Sequence, residues 1–287
     1  LLQISYFFQL LNYKNEQLLL IISLRRNYFA IFTYHKPQSM LKFIPNFITL
    51  CNLLFGSIAV IYAIQGDLPL AAGFIILGIF FDFFDGLAAR AFKVESMVGK
   101  ELDSLADVVT SGLAPGIIMA QMLYLATLET TPVNLWEGQS FILDSNVIFP
   151  LIGLLIPLAS AYRLAKFNVD ERQTNSFIGL PTPANALWIL SLPLILIYQP
   201  SELAFDFLLN PWVLVVLTLL SCYLLNAELR LFSLKFKARS FKANSERYIF
   251  LILSLAMLIG FWFTAIPLVI LLYLIISFIS VKRNKAT

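Results

Sequence analysis

Charged residues are scarce in this chain of 287 residues. Asp, Glu, Lys and Arg make up 13% of the sequence, whereas soluble domains contain about 25%. Apolar residues account for 59%, which leaves too little polar surface to cover a compact fold in water. The composition therefore excludes an ordinary soluble protein and predicts an integral membrane protein.

Histidine and cysteine are almost absent as well. His35 is the only histidine, so a histidine-based catalytic triad or a cluster of histidine metal ligands is excluded. Cys51 and Cys222 lie in apolar runs and lack the spacing of a zinc site or a disulfide framework. We expect both to be packed, unpaired thiols.

Long apolar runs fill most of the chain instead. A membrane-spanning helix needs about 20 mainly apolar residues, and Pro267 divides the last apolar run into two segments. We therefore predict an all-α integral membrane protein, a polytopic bundle of about eight transmembrane helices. The predicted spans are 44–65, 68–92, 98–125, 146–166, 184–199, 211–227, 248–264 and 266–281.

Basic residues are missing from every second loop between these spans. The loops without Lys or Arg are 66–67, 126–145, 200–210 and the turn around 265. Basic residues that stay on one side usually mark the cytoplasm. We therefore predict that both termini are cytoplasmic and that the protein lies in the cell (inner) membrane.

The first 39 residues contain only short apolar runs, and Met40 stands directly before the first predicted span. Two interpretations remain open. Translation starts at Met40, or residues 1–39 form an interfacial extension. We assign residues 40–287 to one transmembrane domain. Detection of any native peptide from residues 1–39 by mass spectrometry would exclude a start at Met40.

Four aspartates lie near the ends of two consecutive apolar segments. A carboxylate at the centre of a membrane helix costs at least about 2.5 kcal/mol, so such residues usually serve a function. The spacing is three residues in one pair and four in the other, which places each pair on one helical face. The residues are Asp82 and Asp85, then Asp103 and Asp107.

A short loop joins these two segments, so we expect the two pairs to face each other near the cytoplasmic surface. Converging carboxylates repel one another, whereas Mg²⁺ or Mn²⁺ would hold them together. The small residues Gly86, Ala89 and Gly99 leave space for a ligand, and Arg90 is placed to reach a phosphate. The alternative is a set of solvated carboxylates paired with neighbouring basic side chains.

The complete pattern resembles a known signature. It reads Asp82-x2-Asp85-Gly86-x2-Ala89-Arg90-x8-Gly99-x3-Asp103-x3-Asp107 and resembles that of the CDP-alcohol phosphatidyltransferases at every fixed position. Within that family the chain is most similar to the bacterial phosphatidylserine synthases, on "IPNFITLCNLLFGSIAV", "LDSLADVVTSGLAP" and "RLAKFNVDERQTNSFIGLPTPANA". The resemblance covers about residues 40–280. Lys166 departs from it, where Arg is commoner, as does Thr110-Ser111, where Ser-Phe is expected.

The resemblance implies transfer of the phosphatidyl group of CDP-diacylglycerol to the hydroxyl of L-serine, with release of CMP. It implies Mg²⁺ or Mn²⁺, two ions, on Asp82, Asp85 and Asp103, and Asp107 as the general base with contact to the second ion. The cytidine diphosphate would lie along Asp82, Asp85, Gly86, Ala89, Arg90 and Gly99. A homodimer at the lipid bilayer is implied, and no nucleic acid is expected as a partner.

The acceptor is the least determined part of this interpretation. Arg163, Lys166 and Asn168 end the fourth predicted span and are candidates for binding the serine carboxylate or the lipid phosphate, or simple membrane anchors. A member of the same family that uses glycerol phosphate, inositol phosphate or choline remains an alternative. An ion-coupled transporter is a remote one, because its intramembrane carboxylates usually lie near the midplane in repeated halves.

Overall fold

The computed structural model of the protein describes residues 38–94, 96–128, 148–170, 177–231 and 244–286. Except for its last two residues, the N-terminal segment 1–39 lies outside them. The α-helices are α1 (Gln38–Gln65), α2 (Leu68–Phe92), α3 (Met97–Asp107), α4 (Ala114–Leu128), α5 (Leu155–Val169), α6 (Thr182–Tyr198), α7 (Glu202–Leu208), α8 (Pro211–Asn226), α9 (Ser245–Phe261) and α10 (Ala265–Ala286). Two short strands, β1 (Phe177–Ile178) and β2 (Arg230–Leu231), pair in antiparallel orientation.

Helices α1 and α2 form a tight antiparallel hairpin. Gly66 turns the chain at a φ of 82°, and the Asp67 side chain caps α2 by accepting a hydrogen bond from the Leu70 amide. Ring pairs hold the two helices in register, with centroids 5.4 Å apart for Tyr62 and Phe74. The register matters for function because it places the polar residues of α1 beside the aspartates of α2.

The third apolar segment is one continuous helix with a change of geometry in its middle. Six residues, Val108–Leu113, wind as a π-helix between α3 and α4. A widened turn of this kind is rare and is often found beside functional sites. It begins at the residue after Asp107, so the fourth predicted aspartate stands at the junction.

Thr110 of this π-helix packs tightly between α1 and α2. Its hydroxyl donates to the Asn52 carbonyl at 3.1 Å. A Cβ atom on Gly56 would lie 2.1 Å from the Thr110 Oγ1 atom, and one on Gly78 would lie 2.5 Å from its Cγ2 atom. The two glycines therefore let the three helices approach closely just below the aspartates.

A Gly56→Ala substitution is expected to destabilise the fold by about 1–3 kcal/mol, the usual cost of overpacking a buried site. The matched control is Gly73→Ala on α2, where an added Cβ meets nothing within 4 Å. That control is expected to be neutral or to gain up to about 1 kcal/mol, because alanine favours helix interiors. Thermal unfolding of both variants in detergent checks the difference. Equal melting temperatures would contradict it.

Within the described residues, the all-helical prediction is confirmed apart from the small β1–β2 pair, and a helix covers most of each predicted span, although residues 146 and 147 of the fourth lie outside the described part. Five segments of the described chain are long and apolar enough to cross a membrane, and α7 with α8, bent by 67°, would make a sixth. The five are 43–65, 68–92, 97–127, 149–169 and 247–279. The number of eight crossings and the orientation of the termini stay predictions. Cys51 and Cys222 are free thiols, as expected.

The last of these segments is folded back on itself. Residues 250 and 273 would lie about 35 Å apart in one straight helix, at 1.5 Å per residue, yet the rings of Phe250 and Tyr273 are 5.7 Å apart. The break lies at Trp262, whose φ is 48°. Gln199 holds the turn, since its amide donates to the Phe261 carbonyl and its Oε1 atom accepts from the Thr264 amide, both at 3.0 Å. Helices α9 and α10 therefore form a hairpin.

Candidate active site

The structure brings three of the predicted aspartates into one cluster. Asp82 and Asp85 of α2 and Asp103 of α3 each offer a carboxylate oxygen, and these oxygens lie within 4.8 Å of one another. The turn between the helices explains this, because Lys93 ends α2 in the left-handed conformation and Ser96 caps α3. The two helices consequently present their acidic faces to each other, as the spacing predicted.

Helix α1 supplies polar partners to this cluster that the sequence interpretation missed. The Thr49 hydroxyl donates to the Asp85 Oδ2 atom at 2.5 Å, and the Asn52 amide lies 3.4 Å from the Asp82 Oδ1 atom. With Asn46, these residues form a stripe at three-residue spacing in an otherwise apolar span. That spacing was a readable signal, because three-residue steps lie on one face of a helix.

The cluster has the chemistry of a site for a hard divalent cation. Among the described residues, no Lys or Arg nitrogen forms an ion pair within 4 Å of these three aspartates, and the one ion pair found joins Lys166 to Glu228. Asp85 is only 6% exposed. Converging carboxylates without a protein cation suit Mg²⁺ or Mn²⁺, which prefer oxygen ligands. The residues present therefore fit a metal centre, and the pairing with basic side chains that was left open does not occur.

Asp107 lies beside this cluster but has a different environment. It is 8% exposed and interacts electrostatically with Asp82 and Asp103. The Thr182 hydroxyl lies 3.4 Å from its Oδ2 atom, whereas its Oδ1 atom has no hydrogen-bond partner. A buried carboxylate oxygen without a donor is costly. Asp107 is therefore ready to accept a proton or a ligand.

Thr182 reaches Asp107 because the loop before α6 is tied to the end of α8. The Leu180 amide donates to the Leu224 carbonyl at 2.8 Å, and the Gly179 amide donates to the Leu229 carbonyl at 3.0 Å. Gly179 has a φ of 77°, and a Cβ atom there would lie 2.4 Å from the Leu225 carbonyl oxygen. This position requires glycine for both its conformation and its space. The loop thus contributes Thr182 to the site.

Arg163 of α5 is a buried cation that interacts with Asp107. It is 7% exposed, and its Nε atom has no hydrogen-bond partner. Its guanidinium interacts electrostatically with Asp107, although the two are not within the 4 Å of an ion pair. A buried, incompletely bonded guanidinium is unfavourable in the protein alone. An anionic or polar ligand beside Arg163 would supply the missing partner.

Further buried polar groups lie one helical turn from these residues. Ser111 follows Asp107 by four residues, Ser160 precedes Arg163 by three, and Asn185 follows Thr182 by three. The two hydroxyls and the Asn185 Nδ2 atom are buried and lack hydrogen-bond partners. Buried polar atoms in native proteins are rarely left unpaired. The three groups lie on the same helical segments as Asp107, Arg163 and Thr182.

The two other candidate acceptor residues have partners of their own. The Lys166 ammonium lies 3.8 Å from Glu228. The Asn168 side-chain amide donates to the Ser104 hydroxyl at 2.9 Å, and the Asn168 backbone carbonyl accepts from the Lys100 ammonium at 3.0 Å. Asn168 thus ties the end of α5 to α3.

The predicted nucleotide residues line the open side of the cluster. Arg90 is exposed, and its Nε atom donates to the Gly86 carbonyl at 2.9 Å. An added Cβ on Gly86 would meet only the Arg90 Nη2 atom, at 3.9 Å, so the surface beside it is open. Ala89 is half-buried on the same helix. The absence of a side chain at Gly99 is explained by packing, because a Cβ atom there would lie 3.1 Å from the Asn46 side chain.

Comparison with known proteins agrees with this site. The sequence model of the CDP-alcohol phosphatidyltransferase family matches residues 42–224, the part of the chain that carries the four aspartates, Thr182 and Arg163. The chain belongs to the CDP-alcohol phosphatidyltransferase family. The resemblance stated from the sequence is thereby confirmed, and membership identifies this membrane phosphatidyltransferase as an enzyme.

Individual relatives are similar over half or more of this chain. A CDP-diacylglycerol–serine O-phosphatidyltransferase of Bacillus subtilis is 34% identical over 164 residues, or 57% of this chain and 81% of the relative. A protein of that name from Methanocaldococcus jannaschii is 35% identical over 147 residues, 51% and 58% of the two chains. The archaetidylserine synthase of Methanothermobacter thermautotrophicus is 31% identical over 164 residues, 56% and 62%. The match thus covers less than two thirds of the last two proteins.

Proposed function

We propose that this phosphatidyltransferase transfers the phosphatidyl group of CDP-diacylglycerol to the hydroxyl of L-serine, giving phosphatidylserine and CMP. The observation that carries the proposal is the position of Asp107. Its buried, unpartnered oxygen stands between a carboxylate cluster suited to metal ions and a buried guanidinium suited to a carboxylate. Relatives named as serine O-phosphatidyltransferases support serine as the acceptor.

Asp82, Asp85 and Asp103 would hold Mg²⁺ or Mn²⁺, and we propose two ions, the second touching Asp107. Ions bound there would neutralise the pyrophosphate and stabilise the departing CMP. The Thr49 and Asn52 side chains orient two of these carboxylates, in the way that outer hydrogen bonds orient metal ligands generally.

The nucleotide would lie on the open side of the cluster. Gly86 and Ala89 leave the α2 surface low enough for the diphosphate to approach, and we place the nucleotide near Gly99 on the family resemblance alone. Arg90 is exposed and bonded only to its own helix, so it can turn to a phosphate oxygen at little cost. These roles follow the family resemblance and are supported by the open space.

Asp107 would act as the general base. The serine hydroxyl is a weak nucleophile, and a positioned carboxylate takes its proton as the new bond to phosphorus forms. The phosphorus–oxygen bond to CMP breaks in the same step, so the nucleotide leaves with the bonding electrons and Asp107 keeps the proton. One base and no evident protein nucleophile favour this single displacement.

Serine itself would bind beside Asp107. Its carboxylate would pair with the Arg163 guanidinium, which is buried and incompletely bonded. The unpaired groups of Ser111, Ser160 and Asn185 would then gain partners from the ligand. Lys166 and Asn168, whose side chains are bonded elsewhere, are less well placed and would act by holding the end of α5.

An Arg163→Ala variant is expected to raise the KM for serine by roughly tenfold to a hundredfold, because a charge-assisted hydrogen bond contributes about 1.5–3 kcal/mol. Initial rates of CMP release at varied serine concentration measure this. The control is Lys166→Ala, which is expected to change that KM much less. Unchanged KM values for both serine and the CDP-lipid in the Arg163 variant would contradict the assignment.

The acceptor is tested directly with the full-length protein in detergent. CMP release from CDP-diacylglycerol is measured with serine, glycerol phosphate, inositol phosphate or choline, and the lipid product is identified by mass spectrometry. We expect phosphatidylserine to form fastest. Faster CMP release with another alcohol would leave the family assignment intact and would overturn serine as the acceptor.

We also propose that the protein crosses the inner membrane eight times, with both termini and the aspartates at the cytoplasmic face. The absence of Lys and Arg from every second loop supports this topology, as does the α9–α10 hairpin. Dimer formation remains a prediction from the family. Accessibility of single cysteines to a membrane-impermeant thiol reagent in right-side-out vesicles would test the orientation.

A further inference from the structure

An apolar cavity of about 370 Å³ lies between α6 and the α9–α10 hairpin. Its lining contains no charged side chain. Along α9 it runs from Phe250 to Leu258, a length of about 12 Å at 1.5 Å per residue. The lining residues are Pro181, Ala184, Leu187, Phe250, Leu258, Ile266, Val269, Ile270 and Tyr273.

One end of this cavity adjoins the candidate active site. Pro181 lines the cavity, and the next residue, Thr182, directs its hydroxyl to Asp107. Ala184 and Leu187 follow on the same face of α6, so the cavity leads away from Asp107 along the helix. Most of its lining residues belong to apolar helices. A molecule with its polar end at Asp107 can therefore place a hydrocarbon chain in this cavity.

Helices α9 and α10, which form the wall of the cavity opposite α6, lie outside the part of the chain that matches the family model. The match ends at residue 224, whereas α9 and α10 follow it. Gln199 ties the hairpin turn to the end of α6, which holds this wall opposite Ala184 and Leu187. The cavity is consequently a built space between anchored elements.

We propose that this cavity holds one acyl chain of the CDP-lipid while its headgroup lies at the aspartates. Burial of hydrocarbon surface is favourable when that surface leaves water. For an acyl chain that is already inside a bilayer, this gain is small. The cavity therefore selects and aligns a chain more than it increases affinity. The proposal rests on the proposed function and adds a chain-length selectivity to it.

The first test fills the cavity. An Ala184→Trp variant is expected to lose roughly tenfold or more in kcat/KM for a dihexadecanoyl CDP-lipid, and much less for a dioctanoyl one, because the indole takes the space that the longer chain needs. Ile197→Trp is the matched control, because Ile197 lies on the same helix, is 47% exposed and does not line the cavity. Its ratio of rates for the two lipids should equal that of the parent enzyme. Equal losses for both chain lengths in the Ala184 variant would overturn the proposal.

The second test needs no variant. A CDP-lipid with a diazirine at the end of one acyl chain is photolysed on the full-length protein, and the labelled peptides are mapped. We expect labels on residues 184–187 and 266–273 that excess unlabelled CDP-lipid removes and excess phosphatidylcholine does not. Labels elsewhere only, or equal competition by phosphatidylcholine, would overturn the proposal. If serine fails to release CMP while these labels appear, the proposed function fails and the cavity assignment stands.

Discussion

Replacing Asp107 by Asn is expected to reduce serine-dependent CMP release by roughly 10²–10⁴-fold, the usual contribution of a general base. The amide keeps the volume of the carboxylate and can still accept the Thr182 hydroxyl hydrogen bond. It cannot take a proton from the acceptor hydroxyl at neutral pH. The loss should therefore fall on kcat, and the affinity for the CDP-lipid should change little.

Initial rates at saturating serine measure the loss, and binding of the CDP-lipid to the variant confirms that the site is intact. Asp206→Asn is the control, because Asp206 lines a separate pocket with Phe205 and Asn210. That variant is expected to retain the parent rate. An Asp107→Asn enzyme within threefold of the parent would remove Asp107 from the role of base.

Removal of divalent cations is expected to lower the rate of CMP release by roughly 10³-fold, because the stabilisation of transition-state charge by a metal ion contributes several kcal/mol. Adding Mg²⁺ or Mn²⁺ back should restore the rate. Asp103→Asn should lose Mn²⁺ affinity as well as activity, since it takes one of three carboxylates from a cluster with oxygens within 4.8 Å. Binding of Mn²⁺, followed by electron paramagnetic resonance, separates this loss from a catalytic defect.

Glu101→Gln is the matched control for the metal experiment. Glu101 lies on the same helix and accepts a hydrogen bond from Asn168 at 3.3 Å, which glutamine can also accept. It lies outside the carboxylate cluster, so Mn²⁺ affinity should be unchanged. Equal Mn²⁺ binding by the parent and by Asp103→Asn would show that these aspartates are not the metal ligands.

Local spacing was enough to predict the acidic cluster. Two pairs of aspartates at helical spacing, joined by a short loop, can meet only if the helices run antiparallel, and the structure brings Asp82, Asp85 and Asp103 together in that way. The helical segments were also readable, because long apolar runs leave few alternatives in a membrane. Among the acceptor candidates, only Arg163 is buried and interacts electrostatically with Asp107.

The residues that spacing missed come from distant parts of the chain. Thr49 reaches Asp85 across 36 positions, and Thr182 reaches Asp107 across 75. Nothing local in the sequence around Thr182 indicates such a contact, since it depends on Gly179 and Leu180 being bonded to the end of α8. Thr49 and Asn52 were detectable as a polar stripe, but their partners were not.

By itself, then, the sequence determined the membrane location, the helices, the family and the four aspartates, because each depends on composition or on spacing within one or two helices. Only the tertiary structure decided which groups are buried without partners, that the buried Arg163 interacts electrostatically with Asp107, and that the α9–α10 hairpin leaves an apolar cavity beside α6. Those features arise from packing between helices that are far apart in the sequence, which no local pattern encodes.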